Sequence, residues 1–312
     1  MTYGLIGTGP VGCTLGAHLV KAGQRVSVFC IEPEKTVALR QKPLAIRGAL
    51  DADVRMDEIH DNLKDFLQAA PEVILLATKS CHSAQVLDEI RHCAPRLNSL
   101  FVSCQNGLDV ERYIEQRFGT DRMLRMILHF GCGFKTLNEI QVFFSHTHVL
   151  SDRGEVNSSL KEKLIKDFND GGFPMVLQKD YRTEAFKKAI LNASLSTVCS
   201  LTGLTMKDAL EDPNIKKVVK DMVREAIGIA QAEGLAVGND FEEYAMNYFA
   251  KGGHHKPSML VDIENGRKTE NEDLCGRMVE LANQRSLAVP VVHTAYAFMR
   301  NLEKRILARG NA

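Results

Sequence analysis

The chain has 312 residues, 45% apolar and 25% charged, ordinary values for a globular protein with room for one large or two ordinary domains. Lys plus Arg and Asp plus Glu both number 39, so the net charge is zero, and nothing favours nucleic acid or an anionic membrane as a partner. No apolar run approaches the roughly eighteen residues of a membrane span, and no basic leader with an apolar core opens the chain, so a cytoplasmic protein is expected.

The first strand is expected over Tyr3 to Ile6. Gly7-Thr8-Gly9-Pro10-Val11-Gly12 follows, a complete G-x-G-x-x-G. An amphipathic helix is expected from Val11 to Ala22, stopped by Gly23, and a second strand over Arg25 to Phe29. The motif therefore follows a strand, opens a helix and lies in a βαβ unit of about thirty residues, the context that gives it meaning. Gly7 allows the tight turn, Gly9 lets a pyrophosphate approach the backbone, and Gly12 lets helix and strands pack closely. Pro10 and Val11 of the same motif are counted among the cofactor-binding residues, beside a helix N-terminus whose free N–H groups and dipole favour phosphate. Glu32 lies just past the second strand, where an acid binds the ribose 2′-hydroxyl of NAD; NADP wants a cation for its 2′-phosphate. Glu32 alone favours NAD, with Arg40 and Lys42 close enough in sequence to supply a cation. The alternative for Glu32 is a solvated residue in a charged turn.

Further on, Val73 to Thr78 reads as a buried parallel strand, with Lys79 at its end. Ser83 to Arg91 reads as a helix, Leu100 to Cys104 as a strand ending in Gln105-Asn106-Gly107, and Asp109 to Phe118 as a helix. Such alternation predicts a Rossmann-type, doubly wound parallel sheet. Ligands bind beyond the carboxyl ends of its strands, the edge that carries Lys79, Asn106 and the glycine turn. From Met126 to Leu150 helical periodicity is poor, and an antiparallel extension of the sheet is expected. A helix over Ser158 to Asn169 and a strand over Phe173 to Leu177 end the α/β part.

Beyond about Tyr181 strand signals stop. Helical spacing runs over Thr183 to Val198, Ile215 to Glu233, Phe241 to Ala250, Glu270 to Leu287 and Thr294 to Leu307. The predicted organisation is thus an α/β dinucleotide-binding domain over 1–179 and an all-helical substrate or dimerisation domain over 180–312, with the site at their junction. None of the eight cysteines forms C-x-x-C and no spacing fits zinc. Reduced, mostly buried thiols and no metal are expected; a catalytic thiol is the alternative. Lys188 and Asn192 share a helical face. On spacing alone Lys188 is a solvated helix lysine and Glu270 a first-turn acid complementing a helix dipole.

The chain resembles the ketopantoate reductase (2-dehydropantoate 2-reductase) family. The blocks that carry the resemblance are Gly7 to Gly12, Thr78-Lys79, Gln105-Asn106-Gly107, Lys188 with Asn192, Pro257-Ser258-Met259-Leu260, and Gly266-Arg267 before Thr269-Glu270. The resemblance implies NADPH-dependent reduction of 2-dehydropantoate to (R)-pantoate, a small 2-keto acid as partner, and a possible homodimer. It implies Lys188 as the catalytic lysine and Glu270 as the acid that orients substrate. Asn192 and Ser258 are implied as substrate contacts, Asn106 as a contact to nicotinamide and substrate, and Lys79 as a lysine on the cofactor or substrate side. Four places depart from the family pattern. Asn271-Glu272 stands for Ile-Asp, Ser196 and Cys275 each stand where Asn is usual, and Cys30-Ile31-Glu32 replaces a stretch that often holds a basic residue. A reductase of another 2-keto acid and a nucleotide-sensing protein without turnover are the rival readings.

Overall fold

The structure, a computed structural model, describes residues 1–56 and 58–310, with side chains described through 308. The chain divides into two compact units. The first takes Met1–Gln105 and Val110–Tyr181; the second takes Asn106–Asp109 and the residues from Arg182 onward.

The first unit runs β1 (Thr2–Ile6), α1 (Pro10–Lys21), β2 (Arg25–Phe29), α2 (Pro33–Gln41), β3 (Leu44–Gly48), β4 (Ala52–Val54), β5 (Glu58–His60), α3 (Leu63–Gln68) and β6 (Val73–Leu76). It continues with α4 (Ser83–Cys93), β7 (Leu100–Ser103), α5 (Arg112–Phe118), β8 (Met123–Ile127), β9 (Phe130–Thr136), β10 (Glu139–Ser145), β11 (His148–Ser151), α6 (Ser158–Asp170) and β12 (Met175–Gln178). Eight strands form the main sheet in the order β12-β11-β8-β7-β6-β1-β2-β5. From β5 across to β8 every neighbouring pair is parallel. Both faces are covered, and β6 shows why it is apolar throughout. Val73 and Leu75 join the core cluster that contains α1 and α6, while Ile74 and Leu76 join the one with α3 and α4. Successive side chains point to opposite faces, so a strand buried on both sides needs an unbroken apolar run.

The antiparallel extension expected over Met126 to Leu150 is split between two sheets. β11 does pair antiparallel with β8 in the main sheet. β9 and β10 pair with each other, but β10 then runs parallel to β3 in a separate sheet of order β4-β3-β10-β9. The reason lies in α1. Its residues from Gly12 to Leu19 are all buried, so it is not the amphipathic helix that Val11, Leu15, Leu19 and Val20 suggest. A helix apolar all round must be covered on both sides. Leu44, Ile46, Ile140 and Val142 of the second sheet share its core cluster with Leu5 and Val28 of the first.

His18 lies on the buried length of α1. Its Nδ1 is 2.8 Å from the carbonyl of Gly171, and its ring packs against Phe173 at 5.4 Å. Burial lowers its pKa below the usual 6.5, opposed in part by the hydrogen bond to Gly171. A histidine held neutral in the fold binds fewer protons than the unfolded chain below pH 6.5. Stability is thus full above that pH and falls as pH drops towards the folded-state pKa, by at most about 1.4 kcal/mol per pH unit for one proton. Urea midpoints at pH 7.5 and 5.5 should differ more in the wild type than in His18→Asn, whose amide can still donate to Gly171. Equal pH dependence in the two proteins would remove His18 as the source.

The second unit is helical: α7 (Tyr181–Thr202, its first residue in the other unit), α8 (Met206–Glu211), α9 (Pro213–Ala232), α10 (Phe241–Ala250), α11 (Ser258–Glu264), α12 (Arg277–Gln284) and α13 (Pro290–Gly310). α9 shows how the sequence specifies one of them. Asp212 caps its N-terminus, accepting from the backbone N–H groups of Asn214 and Ile215 at 2.8 and 2.9 Å, and Pro213 supplies a pre-set first residue. Val219, Met222, Val223, Ala226, Ile229 and Ala230 then face the core at helical spacing. Gly234 (φ +75°) ends it, with the Leu235 N–H bonded back to the carbonyl of Ala230. The single helix expected from Glu270 to Leu287 is instead a π turn over Glu272–Gly276 leading into α12. Its wide bond runs from the Gly276 N–H to the Asn271 carbonyl at 2.9 Å.

Candidate active site

In the first unit the glycine turn joins β1 to α1. Gly7 has φ +106°, and a Cβ on Gly12 would lie 2.0 Å from the Gly7 carbonyl oxygen. Both positions therefore require glycine. A Cβ on Gly9 would meet nothing within 4 Å. Gly9 is the N-cap of α1, with no side chain closing the helix end and Pro10 in the first turn. The end offers backbone N–H groups beside open space, which fits a dinucleotide pyrophosphate. Lys79 lies just past β6 and caps a short 3₁₀ turn over Ser80–His82.

One side-chain contact joins this turn to the end of β2, with a local one on either side of it. The Thr8 hydroxyl donates to Cys30 Sγ at 3.3 Å, the Cys13 thiol to the Thr8 carbonyl at 3.5 Å, and the Cys30 thiol to the Glu32 carbonyl at 3.7 Å. The cation next to Glu32 is neither Arg40 nor Lys42 but Lys35, whose ammonium reaches both carboxylate oxygens at 2.8 and 2.9 Å. Arg40 instead donates to the carbonyl of Ile59 at 2.8 Å, and Lys42 caps the far end of α2. Cys13 is a buried packing group. Burial pushes the Cys13 thiol up to about 12, and does the same to Cys199 in the helical unit.

Gln105, absent from the sequence-derived site, ties the ends of β6 and β7 together. Its amide donates to the Thr78 carbonyl at 2.9 Å and exchanges bonds with the Ser83 hydroxyl. Asn106 follows it and groups with the helical unit. There the Leu108 N–H donates to the Asp273 carbonyl at 2.7 Å, and the Arg277 Nε to Asp109 at 2.8 Å. Just ahead of these anchors in sequence, the Asn106 amide donates to Glu270 Oε2 at 3.1 Å.

Asn106 and Glu270 share a narrow pocket with Asn192 and Ser196 of α7, Ser258, Met259 and Asp262 of α11, and Leu274 of the π turn. Asn106, Asn192, Ser258 and Glu270, four of the residues singled out in the sequence, thus converge on one pocket. Lys188 is not in its wall. It lies one turn before Asn192 on the i, i+4, i+8 row of α7 that also holds Ser196, about 6 Å along the axis. Asp262 is a wall residue that the sequence reading missed, although its i, i+4 relation to Ser258 was a usable signal. Thr269 is buried, and its N–H and hydroxyl both donate to Glu303 of α13. Glu303 thereby fixes the chain just before Glu270.

The departures from the family pattern separate in space. Ser196 lines the pocket. Cys275 does not: it is fully buried, 3.3 Å from the Thr197 hydroxyl, and burial pushes its thiol up to about 11. Asn271 is also buried, its N–H donating to the Thr269 hydroxyl at 3.2 Å.

Among the described residues no group of three or more His, Cys, Asp or Glu could hold a metal ion, and no helix is long and apolar enough to cross a membrane.

Residues 3–154 match the family described as ketopantoate reductase PanE/ApbA, and residues 180–303 match ketopantoate reductase PanE/ApbA C terminal. The 2-dehydropantoate 2-reductase of Pyrococcus abyssi is 24% identical over 291 residues, covering 92% of this chain and 93% of that protein. The crystal structure of a PanE/ApbA family ketopantoate reductase from Ralstonia eutropha superposes with a TM-score of 0.86 at 19% identity, covering 98% of this chain and 99% of that one. A D-mandelate dehydrogenase solved with NADH and anilino(oxo)acetate superposes with a TM-score of 0.83 at 18% identity, covering 98% and 99%. With both parts of its sequence matched, the chain belongs to the ketopantoate reductase PanE/ApbA family of oxidoreductases.

Proposed function

We propose that this protein reduces 2-dehydropantoate to (R)-pantoate, a step towards pantothenate, using a reduced nicotinamide dinucleotide held at the glycine turn. The observation that carries this reading is the convergence of Asn106, Asn192, Ser258 and Glu270 on one pocket of the helical unit, with Lys188 one turn along the same helix row.

When bound, the cofactor supplies the hydride for C2 of the 2-keto acid. The protein's own groups manage the charge and the proton. Negative charge grows on the keto oxygen, and Lys188 is the general acid there: its ammonium stabilises that oxygen and protonates it. Glu270 orients substrate, accepting from its hydroxyl. The Asn106 amide, already donating to Glu270, keeps that carboxylate aimed. Asn192 and Ser258 are donors for the substrate carboxylate and hydroxyl. Lys79 assists on the cofactor or substrate side.

The test is turnover of 2-dehydropantoate by the purified chain with NADH or NADPH, with chiral analysis of the product. Turnover above about 1 s⁻¹, the lower end of ordinary enzyme rates, with (R)-pantoate formed, is the expected result. A panel of aliphatic and aryl 2-keto acids belongs beside it, because Ser196 lines the pocket and because of the structural likeness to a mandelate dehydrogenase. Nucleotide binding with turnover only on another panel member would transfer the reaction to that acid.

A further inference from the structure

We propose that Glu32 and Lys35 together select NADH, Lys35 being a positioning residue that aims the Glu32 carboxylate at the ribose 2′-hydroxyl while that carboxylate screens the ammonium from a 2′-phosphate. The proposal rests on the reading that the glycine turn holds a nicotinamide dinucleotide.

Glu32 lies twenty residues after Gly12, the spacing at which an acid meets the adenosine ribose. It is the N-cap residue of α2, yet its side chain does not cap that helix. It turns to Lys35, which bonds both of its oxygens at 2.8 and 2.9 Å. The order in depth decides what a ligand meets. The Lys35 side chain is only 7% exposed and that of Glu32 is 60% exposed. The ammonium also lies over the ring of Phe134, 4.8 Å from its centroid. The cation thus has two partners, an aromatic face and a carboxylate that is far more exposed than itself.

A carboxylate has about four lone-pair sites, and Lys35 uses two. The others remain for a hydroxyl donor, so a ribose 2′-OH finds a fixed acceptor. A 2′-phosphate carries about −1.5 to −2 charges and meets the carboxylate before it can reach the ammonium. Like charges at that distance oppose binding. Arg40 offers no substitute, since it is engaged with the Ile59 carbonyl.

The pair also predicts what happens when the screen is removed. In Glu32→Gln the ammonium loses its anionic partner and becomes the cation that a 2′-phosphate needs. Lys35 then determines the outcome, which a purely structural lysine would not do.

The experiment is fluorescence titration of NADH and NADPH, read as dissociation constants without substrate. The proteins are the wild-type chain, Glu32→Gln, Glu32→Gln/Lys35→Met and Glu32→Gln/Lys35→Arg. The wild type should bind NADH at least about tenfold more tightly than NADPH. Glu32→Gln should tighten NADPH by about tenfold or more. Adding Lys35→Met should abolish that gain, and Lys35→Arg, which keeps the charge, should retain it. Tighter NADPH binding in the wild type, or the same gain with and without Lys35, would overturn the proposal. If the wild type bound neither nucleotide, the reading of the glycine turn itself would fall.

Discussion

Lys188→Ala is expected to lower kcat on 2-dehydropantoate by about a hundredfold or more, the lower end of what a positioned general acid contributes. In the proposed reaction the keto oxygen gains negative charge as hydride reaches C2, and a lysine ammonium would meet both needs at that atom, stabilising the charge and giving up a proton. The interaction strengthens only as charge develops, so kcat and kcat/KM should fall together. Arginine keeps the charge but does not give up a proton in proteins, so Lys188→Arg should recover only part of the loss. Nucleotide dissociation constants and thermal midpoints serve as controls for the fold. Turnover of Lys188→Ala within a few-fold of wild type would remove the lysine from the chemistry.

Two alanine substitutions in the glycine turn should fail in opposite ways. A methyl at Gly12 would sit 2.0 Å from the backbone oxygen of Gly7. That atom cannot step aside as a flexible side chain would, and overpacking of this kind costs about 1–3 kcal/mol or more. Gly12→Ala should therefore melt several degrees lower and bind nucleotide poorly because the turn itself has moved. A methyl at Gly9 meets nothing within 4 Å, and its φ of −68° suits any residue. Gly9→Ala should melt with the wild type. It should still weaken nucleotide binding by about tenfold or more, because the methyl stands where the proposed cofactor's pyrophosphate would approach the end of α1. Calorimetry beside fluorescence titration separates the two. Full nucleotide affinity in Gly9→Ala would argue against a phosphate site at this turn.

The parallel strands were legible because each is a local pattern. Val73 to Leu76 is an apolar run flanked by turn residues, and Arg25 to Phe29 follows a glycine well placed to end a helix. The second sheet was not legible. β4 is three residues long, and β9 carries glycines at Gly131 and Gly133, which weaken any strand signal. β3 finds its partner β10 more than ninety residues later (Ala45 opposite Glu139). α1 was misread for the same reason, since its second apolar face has meaning only once that sheet covers it. The π turn escaped notice because the apolar spacing of Leu274, Met278 and Leu281 also suits an unbroken helix.

The site divides in the same way. Local pattern was enough to mark the glycine turn and Glu32, because a strand, a turn and a helix follow from neighbours along the chain, whereas Asn106, Asn192, Ser258 and Glu270 were singled out through the family resemblance. Two things depended on tertiary structure. The first is company: Asn106 meets Glu270 only because residues 106–109 join the helical unit through Asp273 and Arg277, and Ser196 faces the pocket while Cys275 turns into the core. The second is depth. Lys35 reads in the sequence as one more surface lysine beside a glutamate, and it becomes a screened cation only because Phe134, ninety-nine residues away, closes over it. Burial sets the strength of a charge and what can reach it, and burial is decided by segments that are far apart in the chain.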